Sequence, residues 1–135
     1  MNDEHQAIEA FLDGRTIAVV GASRSRYKFG HQVLRCLLDH DYDAIPVNPS
    51  ATRVAGIETV ESVLDITRPV HGCIMITPPS ITEAVCQEAI EAGIARLWMQ
   101  PGAESPSGIE HAVQNGCSVI AYGPCLLIEL GQRDH

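Results

Sequence analysis

A doubly wound α/β fold, with a parallel sheet covered by helices on both faces, is what this sequence predicts, on three observations. Short apolar, β-branched runs alternate with amphipathic stretches at a steady interval along 135 residues. Hydrophobic residues make up 45% of the chain but aromatics only 4%, so Val, Ile, Leu and Ala must fill the core, as in a buried parallel sheet. The first apolar run leads directly into a glycine-bounded loop and then a helix, the opening unit of a nucleotide-binding sheet.

Taken in order, Ile8, Phe11 and Leu12 mark an N-terminal helix over 1–14 that ends near Gly14, ahead of a core over 16–130. Thr16-Ile17-Ala18-Val19-Val20 is the first strand, and 29–40 a helix with Val33, Leu34, Leu37 and Leu38 on one face. Ala44-Ile45-Pro46-Val47 is the second strand, stopped by Asn48-Pro49; its Pro46 lacks a ladder donor, which argues against a central position. A short helix is expected over 61–66, and the third strand is Gly72-Cys73-Ile74-Met75-Ile76. Ser80 with Glu83 reads as a capping box opening a helix that runs to Ala92 and stops at Gly93. The fourth strand spans 96–99, Ser105-Pro106 opens a helix that stops at Gly116, and the fifth strand spans 118–122. An apolar tail, Cys125 to Leu130, closes the pattern. Right-handed crossovers between five such strands give an expected order of 3-2-1-4-5, with a ligand crevice beyond the carboxyl ends where the winding reverses between strands one and four. The length suits one domain over 1–135, with no room for a second catalytic domain.

Composition narrows the function. A net charge of −8 argues against nucleic acid and anionic membrane, no apolar run approaches a membrane span, and the acidic start Met1-Asn2-Asp3-Glu4 is unlike a signal peptide, so a cytoplasmic location is expected. Five cysteines without CxxC spacing and six histidines without HxxxH or HExxH support neither a disulfide framework nor a metal site.

The loop 21–30 carries the chemistry. Gly21 allows a tight turn, Ala22 and Ser23 permit close backbone approach, and amides at the next helix start face an anion. Three of the nine basic residues, Arg24, Arg26 and Lys28, fall here, and Lys28 is the only lysine. That concentration in an acidic chain points to a polyanionic ligand. The spacing from Gly21 to Gly30 is not G-x-G-x-x-G, no GxxxxGK[ST] occurs, and Asn48-Pro49 stands where NAD sites place an acid. A phosphorylated ribose is then acceptable, either the 2′-phosphate of NADP or the 3′-phosphate of coenzyme A (CoA), with Arg53 as a candidate partner.

Five segments at strand ends carry a resemblance: Val20-Gly21-Ala22-Ser23, Pro46-Val47-Asn48-Pro49, Thr77-Pro78-Pro79, Trp98-Met99-Gln100-Pro101-Gly102-Ala103 and Pro124-Cys125. Together they resemble the CoA-binding domain family, small Rossmann proteins similar to the N-terminal domain of the succinyl-CoA ligase α subunit. The resemblance implies a Rossmann-like domain with phosphate contacts at Gly21, Ala22, Ser23, Arg26, Lys28 and Gly30. It puts the nucleoside at Val47, Asn48 and Pro49, an opposite wall at Thr77, Pro78 and Pro79, and the pantetheine arm at Gln100 and Gly102. One departure is that relatives often carry a basic residue directly after Asn-Pro, whereas here Ser50 follows and Arg53 comes later.

No catalytic constellation is expected: His31 reads as a helix-start residue, Glu104 as a charge favouring the next helix, and Cys125 as the one thiol placed to approach that of CoA. The leading expectation is a stand-alone CoA or acyl-CoA binding protein without its own catalytic domain. The alternatives are a small NADP-linked oxidoreductase or redox sensor, and a ligand-free interaction module. Leu126-Leu127-Ile128 offers a surface for self-association or for a protein partner if it is not buried in its own core.

Overall fold

Five apolar runs become strands because each is covered on both faces. The computed structural model describes residues 3–132, so Met1 and Asn2 of the acidic start, and residues 133–135, lie outside the described residues. The strands are β1 (Thr16–Val20), β2 (Asp43–Val47), the short β3 (Arg53–Val54) and β4 (Ile57–Glu58), then β5 (Gly72–Met75), β6 (Arg96–Met99) and β7 (Ser118–Ile120). The helices are α1 (Asp3–Leu12), α2 (Phe29–Asp39), α3 (Pro79–Glu91), α4 (Pro106–Gln114) and α5 (Leu126–Gly131), with a 3-10 turn at Val63–Asp65.

The two-residue period of the strands sorts side chains into two cores. Ile17, Val19, Ile74, Trp98 and Ile120 face the layer of α1, α2 and α5. Ala18, Val20, Cys73, Met75, Leu97 and Met99 face the layer of α3, α4 and the 3-10 turn. Trp98 is fully buried, donates from Nε1 to the Pro124 carbonyl at 3.2 Å, and meets Phe11 edge-on with ring centroids 5.1 Å apart.

The large sheet is parallel, with the order β2-β1-β5-β6-β7. In terms of the five long strands this is 2-1-3-4-5, a correction to the expected 3-2-1-4-5: the third strand pairs with the first, not with the second. Pro46 supplies the reason. The N and C=O of one strand residue point to the same side, and the Pro46 carbonyl accepts from Val60 N–H on the outer flank at 3.1 Å. The missing donor therefore faces outward, which an edge strand tolerates and a central one does not. Val60 runs alongside Val47 as an isolated parallel bridge, and Asn48 N–H donates to the Val60 carbonyl at 2.9 Å. The winding consequently reverses between β1 and β5, and the crevice opens there rather than between strands one and four.

Smaller differences have local causes. Helix α3 starts at Pro79 with Pro78 as its N-cap, so Ser80 lies inside the first turn and no side chain caps it. A proline at the first helical position has no N–H to satisfy and its φ is already helical, which moves the start ahead of Ser80. The fifth strand stops at Ile120, because Tyr122 (φ 62°) and Gly123 (φ 146°) turn the chain through the left-handed half of conformational space. The apolar tail folds as α5 and buries Leu126 and Leu130 in the core, leaving Ile128 exposed. The β3–β4 hairpin, turned by Ala55 (φ 51°) and Gly56 (φ 80°), has strands of only two residues each and was not expected from the pattern.

At the far end of the sheet from the crevice, Arg68 donates from Nε and Nη2 to both oxygens of Asp43 at 2.8 Å. This contact, the burial that opposes it, and a further bond from Thr16 leave the Asp43 carboxyl below its ordinary value. A folded-state value below the unfolded one stabilises the fold above pH 3.8 and loses that contribution as the pH falls through the folded value. Both side chains are about half exposed, so Arg68→Ala is expected to cost no more than about 1 kcal/mol at pH 7. Urea melts of the two proteins should converge as the pH falls well below 3.8; a difference that persists once Asp43 is protonated would assign the loss to packing instead.

Candidate functional site

The loop leaving β1 is shaped by contacts that admit almost no side chain. Gly21 has φ 95°, and a Cβ there would collide with the Ile76 carbonyl. A Cβ on Gly30 would collide with the carbonyl of Gly21, so the first turn of α2 rests directly on the turn out of β1. His31 Nδ1 is 2.8 Å from the Ser23 carbonyl and holds the loop from its helix side. Ser25 N–H donates to Ser23 Oγ, and Lys28 N–H to the Ser25 carbonyl, each at 3.1 Å.

These contacts leave donors unspent. The amides of Ala22, Ser23, Phe29 and Gly30 meet no acceptor among the described residues, and Lys28, the N-cap of α2, supplies no side-chain cap. Two of these amides open an eleven-residue helix and two lie on the loop against which its first turn rests, so unpaired donors and the positive end of the helix dipole fall in one region, an arrangement suited to an anion.

Asn48, at the end of β2, serves the scaffold rather than pointing free. Its Nδ2 donates to the Ala22 carbonyl at 2.8 Å, and its Oδ1 accepts from the amides of Ser50 and Ala51 at 2.7 and 3.0 Å. The loops after β1 and β2 are thereby joined through one side chain.

This region opens into a cleft of about 950 Å³ beyond the carboxyl ends of β1, β2 and β5. Of the expected site residues, Gly21, Ala22, Ser23, Lys28, Gly30, Val47, Asn48, Pro49 and Thr77 line it. The others do not. Arg24 is exposed outside it, and Arg26 lines a separate shallow groove along α2 with His31 and Arg35. The three cations of the loop thus diverge, and Lys28 alone faces the cleft. Arg53 donates to the Gly56 carbonyl at 3.2 Å within the β3–β4 hairpin. Pro78 and Pro79 form the start of α3 and are not part of the cleft lining.

Gln100 is buried, and its side chain is committed elsewhere. Its Oε1 accepts from the Leu126 amide at 2.8 Å, which caps α5, and its Nε2 donates to Cys125 Sγ at 3.4 Å. Gly102 donates its amide to Glu104 Oε1 at 2.9 Å. Gln100, Gly102 and Cys125 all stand at the carboxyl edge of the sheet but outside the cleft lining.

Sequence reasoning missed the far wall. Ile81, Ala84, Val85 and Glu88 of α3 line it together with Glu61 and Val63 of the segment packed against α3, and the exposed Tyr27 and Phe29 complete the lining. Tyr27 is 93% exposed and Phe29 60%, unusual for aromatics in a chain that has so few. Their position flanking Lys28 was a readable signal; the α3 wall was not, because it exists only once the 3-10 turn packs against α3.

Burial, and after it the charges of Cys86 and Glu88, push the Cys73 thiol up. The Cys86 thiol is pushed up to about 11, mainly by burial. Among the described residues no group of three or more His, Cys, Asp or Glu side chains could hold a metal ion, and no helix is long and apolar enough to cross a membrane.

The model of the CoA binding domain family matches residues 15–131 of the chain. The chain is similar to the uncharacterized protein YneT of Bacillus subtilis, 27% identical over 112 residues that cover 83% of each. It is also 26% identical over 80 residues to an ADP-forming acetate–CoA ligase of Methanocaldococcus jannaschii, covering 59% of this chain and 11% of the ligase. A solved hypothetical protein from Pyrococcus horikoshii superimposes with a TM-score of 0.90 at 28% identity, covering 96% of this chain and 90% of the other.

Proposed function

The chain belongs to the CoA binding domain family, and on that premise we propose that it binds coenzyme A or an acyl-CoA in the cleft beyond β1, β2 and β5, as a stand-alone binding protein. The observation that carries this reading is the set of unspent amides beside that cleft, with Lys28 as its one cation among the described residues. The residues present fit the group. Glycines 21 and 30 keep Cβ atoms out of the space a diphosphate would approach, and the unspent amides supply donors to its oxygens. The apolar stretch formed by Val20, Val47, Val63, Ile76 and Val85 suits a nucleoside, and the volume lies in the range of small-molecule sites. In this reading the chain's own residues bind and orient the ligand and do no chemistry on it. Ligase activity is a property of the much longer relative and is not carried over.

Calorimetric titration with CoA, acetyl-CoA, NAD and NADP tests the proposal. CoA or acetyl-CoA should bind and the dinucleotides should not; binding of NADP without CoA overturns it in favour of a nicotinamide protein, and binding of none favours an interaction module. Lys28→Ala is expected to weaken CoA about 10-fold, roughly 1.4 kcal/mol, because an exposed cation contributes at the lower end of charge-assisted hydrogen bonding. Arg24→Ala, which alters a cation outside the cleft, should change affinity by less than about 3-fold, on the order of 0.6 kcal/mol. Equal losses in the two variants would show a diffuse electrostatic effect rather than a placed one.

A further inference from the structure

The cleft is lined differently on its two sides. Lys28 opens α2, which covers one face of the sheet, whereas Glu88 lies on α3, which covers the other, and Glu61 just precedes the 3-10 turn packed against α3. An anionic ligand has no use for carboxylates unless another part of it donates hydrogen bonds. What that part is follows from the α3 side.

Ile81, Ala84, Val85 and Glu88 recur at helical spacing and form one stripe of α3. From Ile81 to Glu88 the helix rises about 10 Å, so the stripe is an apolar surface ending in a carboxylate. Val63 and Val47 line the same cleft and pack with Val85 in one buried cluster. An apolar surface that ends in a hydrogen-bond acceptor is complementary to an aromatic ring bearing an amino group on its edge.

Glu88 is held for that purpose. Ser62 Oγ donates to its Oε1 at 2.7 Å, and Ser62 is fixed in turn as the cap of the 3-10 turn, accepting from Leu64 N–H and donating its own amide to Asp65. The second oxygen, Oε2, takes no hydrogen bond from any described residue, although Glu88 is only half-buried and lines the cleft. An ionised carboxylate is an acceptor only, so whatever pairs with Oε2 must be a donor.

We infer that Glu88 reads the base of the bound nucleotide by accepting a hydrogen bond from the exocyclic amino group of adenine, with Ser62 as its positioning residue. The inference rests on the CoA-binding reading and assigns to that site the residue that distinguishes an amino-bearing base from one without. The phosphates then lie at the start of α2 and the base against α3, and the ligand has a single orientation.

The test compares CoA with the analogue whose base is unsubstituted purine, which removes the amino group without adding bulk or a new donor. Calorimetry on the wild-type protein should show CoA bound at least 10-fold more tightly than the analogue. In Glu88→Ala the two should bind within 2-fold of each other, because the acceptor is gone, and Glu88→Gln, with a neutral acceptor of the same shape, should fall between. Equal binding of the two ligands to the wild type overturns the inference while leaving CoA binding intact. A ratio unchanged in Glu88→Ala and Glu88→Gln also overturns it, since a purely structural role lowers both affinities together. Failure of CoA itself to bind the wild type is the separate outcome that removes the functional reading.

Discussion

Trp98→Ala is expected to lower the unfolding free energy by about 3–5 kcal/mol, among the largest losses a single substitution can bring to this fold. The ring lies in β6, between β5 and β7, is wholly buried, and packs edge-on against Phe11 of α1. Truncation leaves a cavity between the sheet and α1, and it also frees the Pro124 carbonyl, which accepts the indole N–H at 3.2 Å. Pro124 leads into α5, so the loss spreads to the helix that Gln100 caps at Leu126. Trp98 is the only tryptophan in the chain, so the urea transition should be followed by far-ultraviolet circular dichroism. Trp98→Phe keeps most of the ring and loses the donor, and about 1–3 kcal/mol is expected. A loss below 1 kcal/mol for the alanine variant would mean that α1 collapses into the space, contrary to a close-packed core.

The second large effect is on binding rather than stability. Gly30→Ala places a methyl group into the Gly21 carbonyl, and neither neighbour is a flexible side chain that can swing away. The first turn of α2 must lift from the loop, which separates the amides of Phe29 and Gly30 from those of Ala22 and Ser23. At a CoA concentration 100-fold above the wild-type Kd, bound ligand should stabilise the wild type by about 2.7 kcal/mol. In Gly30→Ala that gain is expected to fall below about 1 kcal/mol, equivalent to at least a 20-fold weaker complex. Gly131→Ala, where an added Cβ meets nothing within 4 Å, is the control and should behave as wild type. Equal ligand-induced stabilisation in Gly30→Ala and wild type would show that the phosphates lie elsewhere.

These two positions also show what could be read from the sequence. Trp98 sits in an apolar run that is legible as a strand because a parallel strand covered on both sides carries no polar alternation to obscure it. At Gly21 the tight turn out of the first strand was legible, and its φ of 95° bears it out, whereas the anion expected at this loop is a matter for the binding test. Strand order was harder, since which strand the third one joins depends on contacts far apart in sequence; Pro46 held the clue in its missing donor. The divergence of Arg24, Arg26 and Lys28 was hidden because three cations within five positions need not share a side of an irregular loop. Gln100 looked like a ligand contact from its place at a strand end, yet its amide matches the unpaired N-terminus of α5, a helix whose existence the apolar tail alone did not reveal. Glu88 was invisible for a related reason. On a surface helix a glutamate is the commonest of residues, and only the arrival of Ser62 from the 3-10 turn sets it apart.

The outward-facing Pro46 and the strap at Val60 also govern how copies of this protein can meet. An uncovered edge strand offers a ladder of donors and acceptors on which a strand from another molecule can be added, the usual route to uncontrolled polymerisation. At β2 that ladder is interrupted twice: Pro46 has no N–H to give, and its carbonyl and the Asn48 amide are already taken by Val60. The opposite edge, β7, is three residues long. Association by extension of the large sheet is therefore disfavoured on both flanks, which leaves side chains rather than that ladder to decide how copies could meet.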